Sequence, residues 1–376
     1  MENANGIPDR RRQSRSSIYR YLYNAKDFCS RQSLARELNL SLPTVYQNLS
    51  ELMEEGLVRD SGEQQSTGGR KASGLSIVPE ARIAVGVSIT EAHLRFVAAD
   101  LQLQELAYQK AVIPPETAFP DLGGFLAPAL EQFLDDNRIE RSRMLGVGIA
   151  LPGIITPDGS GIFSAPTLDL KNTSLQSLTQ SIPYPVYVEN DGTSGGYAEW
   201  FKHSGKQNMA YLSLENGVGG AILFNGAPYI GDNRRSGEFG HMCVEPGGLL
   251  CKCGRQGCLE AYCSARRISD DLGITLKEFF DGVDHHVLEY ELLWYDFLRH
   301  LATGINSIRM MLDCDVVLGG FLTEYISPYI SQLKSYAAAA NTFETNADYL
   351  RLSALRKHTV PLGVALHFVV QFLDQI

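Results

Sequence analysis

Between Ile18 and Met53, apolar residues recur at helical spacing in three short bursts. Ile18, Tyr21 and Leu22 share one face of the first. Leu34, Ala35 and Leu38 repeat after Ser30, and Val45, Leu49, Leu52 and Met53 repeat after Ser41. Ser30 and Ser41 are natural N-caps, because a serine oxygen accepts from an orphan amide of the first turn. Pro43 falls in the first turn of the third helix, where its missing N–H costs nothing. Gly56 ends that helix, and "LVRDS" predicts a short strand. With the glycine-bearing "GEQQSTGGRKASGLSIV" beyond it, this order predicts a winged helix-turn-helix.

From Ala81 the period shifts toward two. "ARIAVGVSITEAHLRFVAADLQLQELAYQK" predicts three strands, and "MLGVGIALPGIITPDGSGIF" a buried strand followed by a hairpin. "PVYVENDGTSGGYAEWFK" predicts a strand running into a helix, and "NMAYLSLENGVGGAILFNGAPYIG" another hairpin. "YDFLRHLATGINSIRMMLD" is helical, and "CDVVLGGFL" is a strand closing on a Gly-Gly turn. The body is therefore α/β with mixed strands.

Composition refines this picture. The 376 residues allow two or three units, and 44% hydrophobic against 20% charged content supports a sizeable core. The polar, basic "MENANGIPDRRRQSRSS" lacks an apolar signal segment, and no run is apolar enough to cross a bilayer, so the expected location is cytoplasmic. The net charge of −10 is unevenly spread. Residues 1–80 carry eleven Lys/Arg and ten Asp/Glu, and the rest carry 22 and 33. Only the first segment suits a phosphate backbone. On its third helix Thr44, Tyr46, Gln47 and Asn48 lie off the apolar face and are the candidate contacts to double-stranded DNA. Arg70 and Lys71 are candidates at the wing tip. "RRRQSR" at Arg10–Arg15 is either an arm or a solubilising tail. A three-helix interaction module with no DNA role is the competing reading.

Seven cysteines in a reducing compartment do not predict disulfides. Cys29 and Cys314 read as ordinary buried thiols, but "GEFGHMCVEPGGLLCKCGRQGCLE" gathers one histidine and four cysteines in a glycine-rich loop. The spacing is unlike a classical finger, so it admits zinc without requiring it.

The order of elements and this stretch resemble the ROK family of bacterial sugar kinases and sugar-responsive repressors. The resemblance covers nearly the whole chain and is most specific at the "GEfGH … CxCGxxGCLE" signature. It implies a winged helix-turn-helix (1–79), then a two-lobed actin-like, hexokinase-like (ribonuclease H-like) α/β ATPase fold. Its small lobe spans 80–196 and its large lobe 197–376, with the C-terminal helix free to return to the small lobe. It implies structural Zn2+ on His241, Cys251, Cys253 and Cys258, leaving out Cys243 and Cys263. It further implies a sugar held by Gly153, Thr167, Asn190, Asp191, Glu238, His241 and Glu260. Thr167 departs from the family, which often has asparagine there.

The kinase half of the pattern is altered. Where the family has D-x-G-G-T, this chain has Ser88 followed by Ile89, Thr90 and Glu91. Where it has G-T-G-x-G, Glu215 and Asn216 precede Gly217 and Gly219. Side chains there obstruct the backbone approach that phosphate needs. A carboxylate ~4 Å from a phosphate charge costs about 1 kcal/mol in water and about 4 at an effective dielectric of 20. "VVLGGFL" (Val316 to Leu322) still resembles the family's nucleotide-side turn. The expected protein is a sugar-responsive transcriptional regulator rather than an enzyme, most simply a repressor. Its expected partners are operator DNA, a monosaccharide or sugar phosphate, and further copies of itself. An active kinase with Asp191 as general base is the alternative. The sequence does not fix whether sugar induces or co-represses.

Overall fold

A computed structural model describes residues 6–25, 29–63, 73–202, 207–355 and 357–376. The first unit comprises α1 (Gly6–Asn24), α2 (Arg31–Glu37), α3 (Leu42–Glu54) and an antiparallel hairpin of β1 (Val58–Glu63) and β2 (Ser73–Ile77). Ser30 caps α2 in a capping box with Ser33, and the Ser41 hydroxyl accepts from the Thr44 amide at 3.3 Å. Ile18, Leu22, Leu34, Val45, Leu49, Leu52 and Leu75 form its core.

Two details differ from the sequence reading. α1 begins at Gly6, so Arg11–Arg15 are helical rather than an arm or tail. Arg11 pairs with Glu51, and Arg15 with Glu55 at 2.6 Å, fastening α1 to the end of α3. In addition Tyr19, not Tyr21, is fully buried. Tyr19 joins the helix-turn-helix core to the last helix, where its ring meets Phe372 edge-on at 6.4 Å.

The second unit holds a five-stranded sheet ordered β10-β6-β3-β4-β5. Its strands are β3 (Ile83–Ile89), β4 (His93–Ala99), β5 (Glu105–Val112), β6 (Met144–Leu151) and β10 (Val186–Asn190). β3 to β5 form an antiparallel meander, and β3, β6 and β10 are parallel. α4 (Leu122–Asp136) covers one face through Leu126, Leu130 and Phe133. A small antiparallel sheet, β7 (Ile154–Ile155), β8 (Gly161–Ala165) and β9 (Leu170–Ser174), precedes the short α5 (Gln176–Thr179).

α6 (Asp191–Lys202) leads from β10 into the third unit, whose sheet runs β13-β12-β11-β14-β15. Its strands are β11 (Met209–Leu214), β12 (Val218–Phe224), β13 (Ala227–Pro228), β14 (Asp315–Gly319) and β15 (Leu350–Leu352). One face packs on α6, and the other joins the core shared by α7 (Leu259–Cys263), α8 (Leu276–Asp284), α9 (Leu288–Leu312), α10 (Thr323–Ile326) and α11 (Ile330–Ala340).

The last helix, α12 (Thr359–Gln375), returns to the second unit and lies against β3, β6 and α6. The approach is close enough to demand glycine: a Cβ at Gly86 would stand 1.7 Å from the Pro361 carbonyl oxygen, and one at Gly363 1.7 Å from that of Ser194. The buried Glu199 carboxylate of α6 accepts from Ser353 and from the Ala354 and Leu355 amides, fixing the segment that enters α12. None of the seven cysteines is in a disulfide, and Cys29 and Cys314 are buried. Among the described residues no helix is long and apolar enough to cross a membrane.

Candidate metal centre and interlobe cleft

The loop from Gly237 to Glu260 depends on tight turns. Gly237 and Gly257 both have φ near +80°, and a Cβ at Gly257 would lie 2.0 Å from the Glu245 carbonyl oxygen. The folded loop brings the donor atoms of His241, Cys251, Cys253 and Cys258 within 4.8 Å of one another. Cys253 Sγ and Cys258 Sγ are 3.7 Å apart, and Cys251 Sγ is 3.8 Å from His241 Nδ1. A tetrahedral ion with metal–sulfur bonds of about 2.3 Å separates two thiolates by about 3.7 Å, so the cluster fits such an ion. Cys243, bridged antiparallel to Cys258 through backbone, and Cys263, whose thiol faces the Phe297 carbonyl, stand outside the foursome.

The same imidazole faces two ways. Nδ1 points at the thiols, while Nε2 lies 4.0 Å from Glu238 Oε2. Glu260, in the first turn of α7, takes the Val218 amide at 3.1 Å and reaches within 3.8 Å of Cys251 Sγ. It thereby ties the metal loop to the turn between β11 and β12. Burial in the cleft pushes the Glu238 carboxyl up, opposed by His241 and reinforced by Asp191 and Glu260. The three carboxylates therefore share one field.

Asn190 and Asp191 sit where β10 becomes α6. Asn190 caps the helix, its Oδ1 accepting from the Thr193 amide at 2.9 Å while its Nδ2 donates to the Gly153 carbonyl at 3.1 Å. Burial pushes the Asp191 carboxyl up, and the amides of the first helical turn pull against it. Gly153 packs against Ser164 and Ala165, where a Cβ would fall 2.6 Å from that of Ala165. Thr167 is exposed, in the short turn following β8. The fold thus gathers Gly153, Asn190 and Asp191 on one side, and Glu238, His241 and Glu260 on the other.

At the two phosphate turns, Ser88 is buried opposite Arg95. Glu215 is open to solvent yet walled in by protein. Burial first, and Asp191 second, raise its carboxyl to about 7, with Arg95 opposing.

On α3, Tyr46 and Gln47 are exposed, and Tyr46 lies beneath the Arg31 guanidinium at 5.6 Å. The Thr44 hydroxyl faces that of Ser41 at 2.7 Å. Asn48 must be withdrawn as a DNA contact. It is 2% exposed, and its Nδ2 donates to the Thr44 carbonyl. Helical period sets it beside Val45, Leu49 and Leu52 on the inner face. Arg70 and Lys71 lie outside the described residues.

Two residues went unnoticed in the sequence. Glu189, next to Asn190, and Arg234, just before the "GEFGH" stretch, form a nearly buried ion pair of 2.6 Å. Adjacency to the motifs was their only signal.

A winged helix joined to a two-lobed α/β body, with a metal-fitting loop on its cleft, defines a DNA-binding regulator on a sugar-kinase-like fold. Residues 84–366 match the model of the ROK family, and residues 11–59 a winged helix-turn-helix DNA-binding model. The chain belongs to the ROK family, and it is a transcriptional regulator of the repressor type. The xylose repressor of Bacillus subtilis (strain 168) is 26% identical over 366 residues, covering 92% of each chain. The transcriptional dual regulator NagC of Escherichia coli (strain K12) is 27% identical over 351 residues, 86% of this chain and 84% of NagC. A ROK transcriptional regulator homologous to the E. coli MLC protein superposes over 97% of both chains, with a TM-score of 0.78 and 20% identity. A ROK hexokinase from Thermus thermophilus gives 0.68 at 24% identity, over 78% of this chain and 99% of its own.

Proposed function

We propose that the chain is a sugar-responsive repressor whose effector, a monosaccharide or sugar phosphate, binds between the lobes. Asn190, Asp191, Glu238, His241 and Glu260 hold the ring hydroxyls, with Gly153, beside Asn190, and Thr167 completing the wall. Carboxylates accept from adjacent hydroxyls in a fixed geometry. Zinc on His241, Cys251, Cys253 and Cys258 fixes the loop and the imidazole tautomer, leaving Nε2 for a hydroxyl. Thr44, Tyr46 and Gln47 of α3 face the major groove, and two copies of the chain read two half-sites.

The observation that carries the regulatory reading is Glu215 at the phosphate turn. Its side chain, set beside Asp191, stands in a turn where phosphate binding needs a close backbone approach, and the share of it that is ionised adds repulsion to a triphosphate. Effector binding alters DNA affinity because the open and closed lobes bind it unequally.

A thermal-shift screen of zinc-loaded protein against monosaccharides and their 6-phosphates tests this. An effector at ~100 times its Kd adds about 2.7 kcal/mol. A shift that disappears in Glu260→Ala supports the cleft, and a panel with no shift rejects it for those sugars. The kinase alternative draws on Asp191, the carboxylate a general base requires near the attacking hydroxyl. ADP release over the same panel, abolished in Asp191→Asn, would establish it, and no release would retire it.

A further inference from the structure

Glu189 makes three contacts that no other side chain of the cleft combines. It is 6% exposed at the end of β10. Its Oε1 accepts the Asn190 amide at 2.8 Å, so it sets the backbone from which Asn190 and Asp191 project. Its Oε2 accepts from Arg234 Nη2 at 2.6 Å and from the Tyr187 hydroxyl at 2.6 Å. Arg234 belongs to the segment between β13 and Glu238, so this ion pair spans the two lobes.

Tyr187 leads onward. Its ring lies flat on that of His367 at 3.6 Å, with 4° between the planes. His367 is in α12, locked against α6 at Gly363 and Ser194. The far end of α12 carries the DNA-binding unit. Phe372 meets Tyr19 edge-on, Arg20 donates to the Leu373 carbonyl and the Asp374 carboxylate at 2.9 Å, and Arg12 donates to the Gln375 carbonyl at 3.2 Å.

We propose that Glu189 is a positioning residue that couples lobe movement to the docking of the DNA-binding unit, through Arg234 on one side and the Tyr187–His367 stack on α12 on the other. It touches no effector. A buried carboxylate that loses its guanidinium cannot remain unpaired, so lobe movement that withdraws Arg234 obliges Glu189 and Tyr187 to repack together. The stacked imidazole and the rigid α12 carry that repacking to α1. The proposal rests on the cleft being the effector site.

The test is hydrogen–deuterium exchange on full-length, zinc-loaded protein with D-xylose, N-acetylglucosamine and N-acetylglucosamine 6-phosphate as probes. A probe that protects residues 190–193 should also change exchange in α1. Glu189→Gln and Tyr187→Phe should keep the first effect and reduce the second about tenfold, an ordinary size for coupling between sites. Equal α1 responses in wild type and both variants overturn the relay and leave the cleft reading intact. If no probe protects residues 190–193, the cleft reading fails for these sugars, and the ligand-free protein decides the relay. There Tyr187→Phe, which leaves the ion pair in place, must raise α1 exchange. Tyr184→Phe, which removes a hydroxyl bonded to Glu131 elsewhere in the same lobe, must not. Unchanged α1 exchange in ligand-free Tyr187→Phe overturns the proposal.

Discussion

Gly363→Ala and Gly124→Ala are the same substitution inside two helices, and the structure predicts opposite signs for them. Alanine is favoured over glycine in a helix by about 0.8–1.0 kcal/mol. At Gly124, in the first turn of α4, a new Cβ meets nothing within 4 Å, so most of that gain survives. At Gly363 the Cβ would stand 1.7 Å from the Ser194 carbonyl oxygen and 2.4 Å from its carbon, both rigid backbone atoms. Ordinary contact there needs more than 3.4 Å, so α12 and α6 must part by well over 1 Å. Overpacking of this kind costs about 1–3 kcal/mol and at times more, and it outweighs the helix gain. Gly363→Ala should therefore be destabilised by a net ~1–2 kcal/mol, lowering Tm by roughly 1–3 °C for a chain this long. Gly124→Ala should raise it by about 1 °C. Differential scanning calorimetry of both variants with zinc present decides the matter. If Gly363→Ala is as stable as wild type or more so, α12 is not clamped on α6, and the mechanical argument built on that contact fails.

Cys258→Ser should abolish metal retention measured by elemental analysis, whereas Cys243→Ser should retain one ion per chain. Because a structural zinc contributes ~10–16 kcal/mol of apparent binding free energy, chelation should lower Tm strongly. Glu215 supplies a pH test. Its carboxyl sits at about 7 in the folded chain against an ordinary 4.5, so between those values the folded chain holds the extra proton. Stability should consequently fall as pH rises from about 4.5 to about 7, and Glu215→Gln should flatten that slope. Solvent reaches the carboxylate, so the gain at pH 8 should be ~1 kcal/mol rather than the full shift; identical pH–stability curves for variant and wild type would refute the cleft electrostatics. On α3, Gln47→Ala should weaken specific operator binding by roughly 1–3 kcal/mol at unchanged Tm. Asn48→Asp should instead lower Tm, because it buries an unpaired charge; the reverse pattern would mean the inner and outer faces of α3 are misassigned.

The sequence determined what depends on neighbours along the chain. Ser30 and Ser41 cap their helices because an N-cap acts over three residues, and alternating apolar positions mark β3, β4 and β6 because pleating is local. A cluster of one histidine and four cysteines was legible because one short loop carries them, while the choice of His241, Cys251, Cys253 and Cys258 came from the family resemblance. The sequence could not rank faces that distant segments cover. Tyr19 is buried and Tyr21 only half-buried because Phe372 arrives from the other end of the chain. Asn48 looked like a reader of bases because its polarity hid its place in the apolar stripe, where its Nδ2 donates within its own helix to the Thr44 carbonyl. Glu189 and Arg234 show no periodicity at all. Their pairing is made by two lobes closing over a cleft, and a contact across 45 residues of chain leaves no trace in local pattern. The elements and their chemistry were written locally, while the connection between cleft and DNA-binding unit was decided by tertiary packing, because burial depends on which surfaces meet.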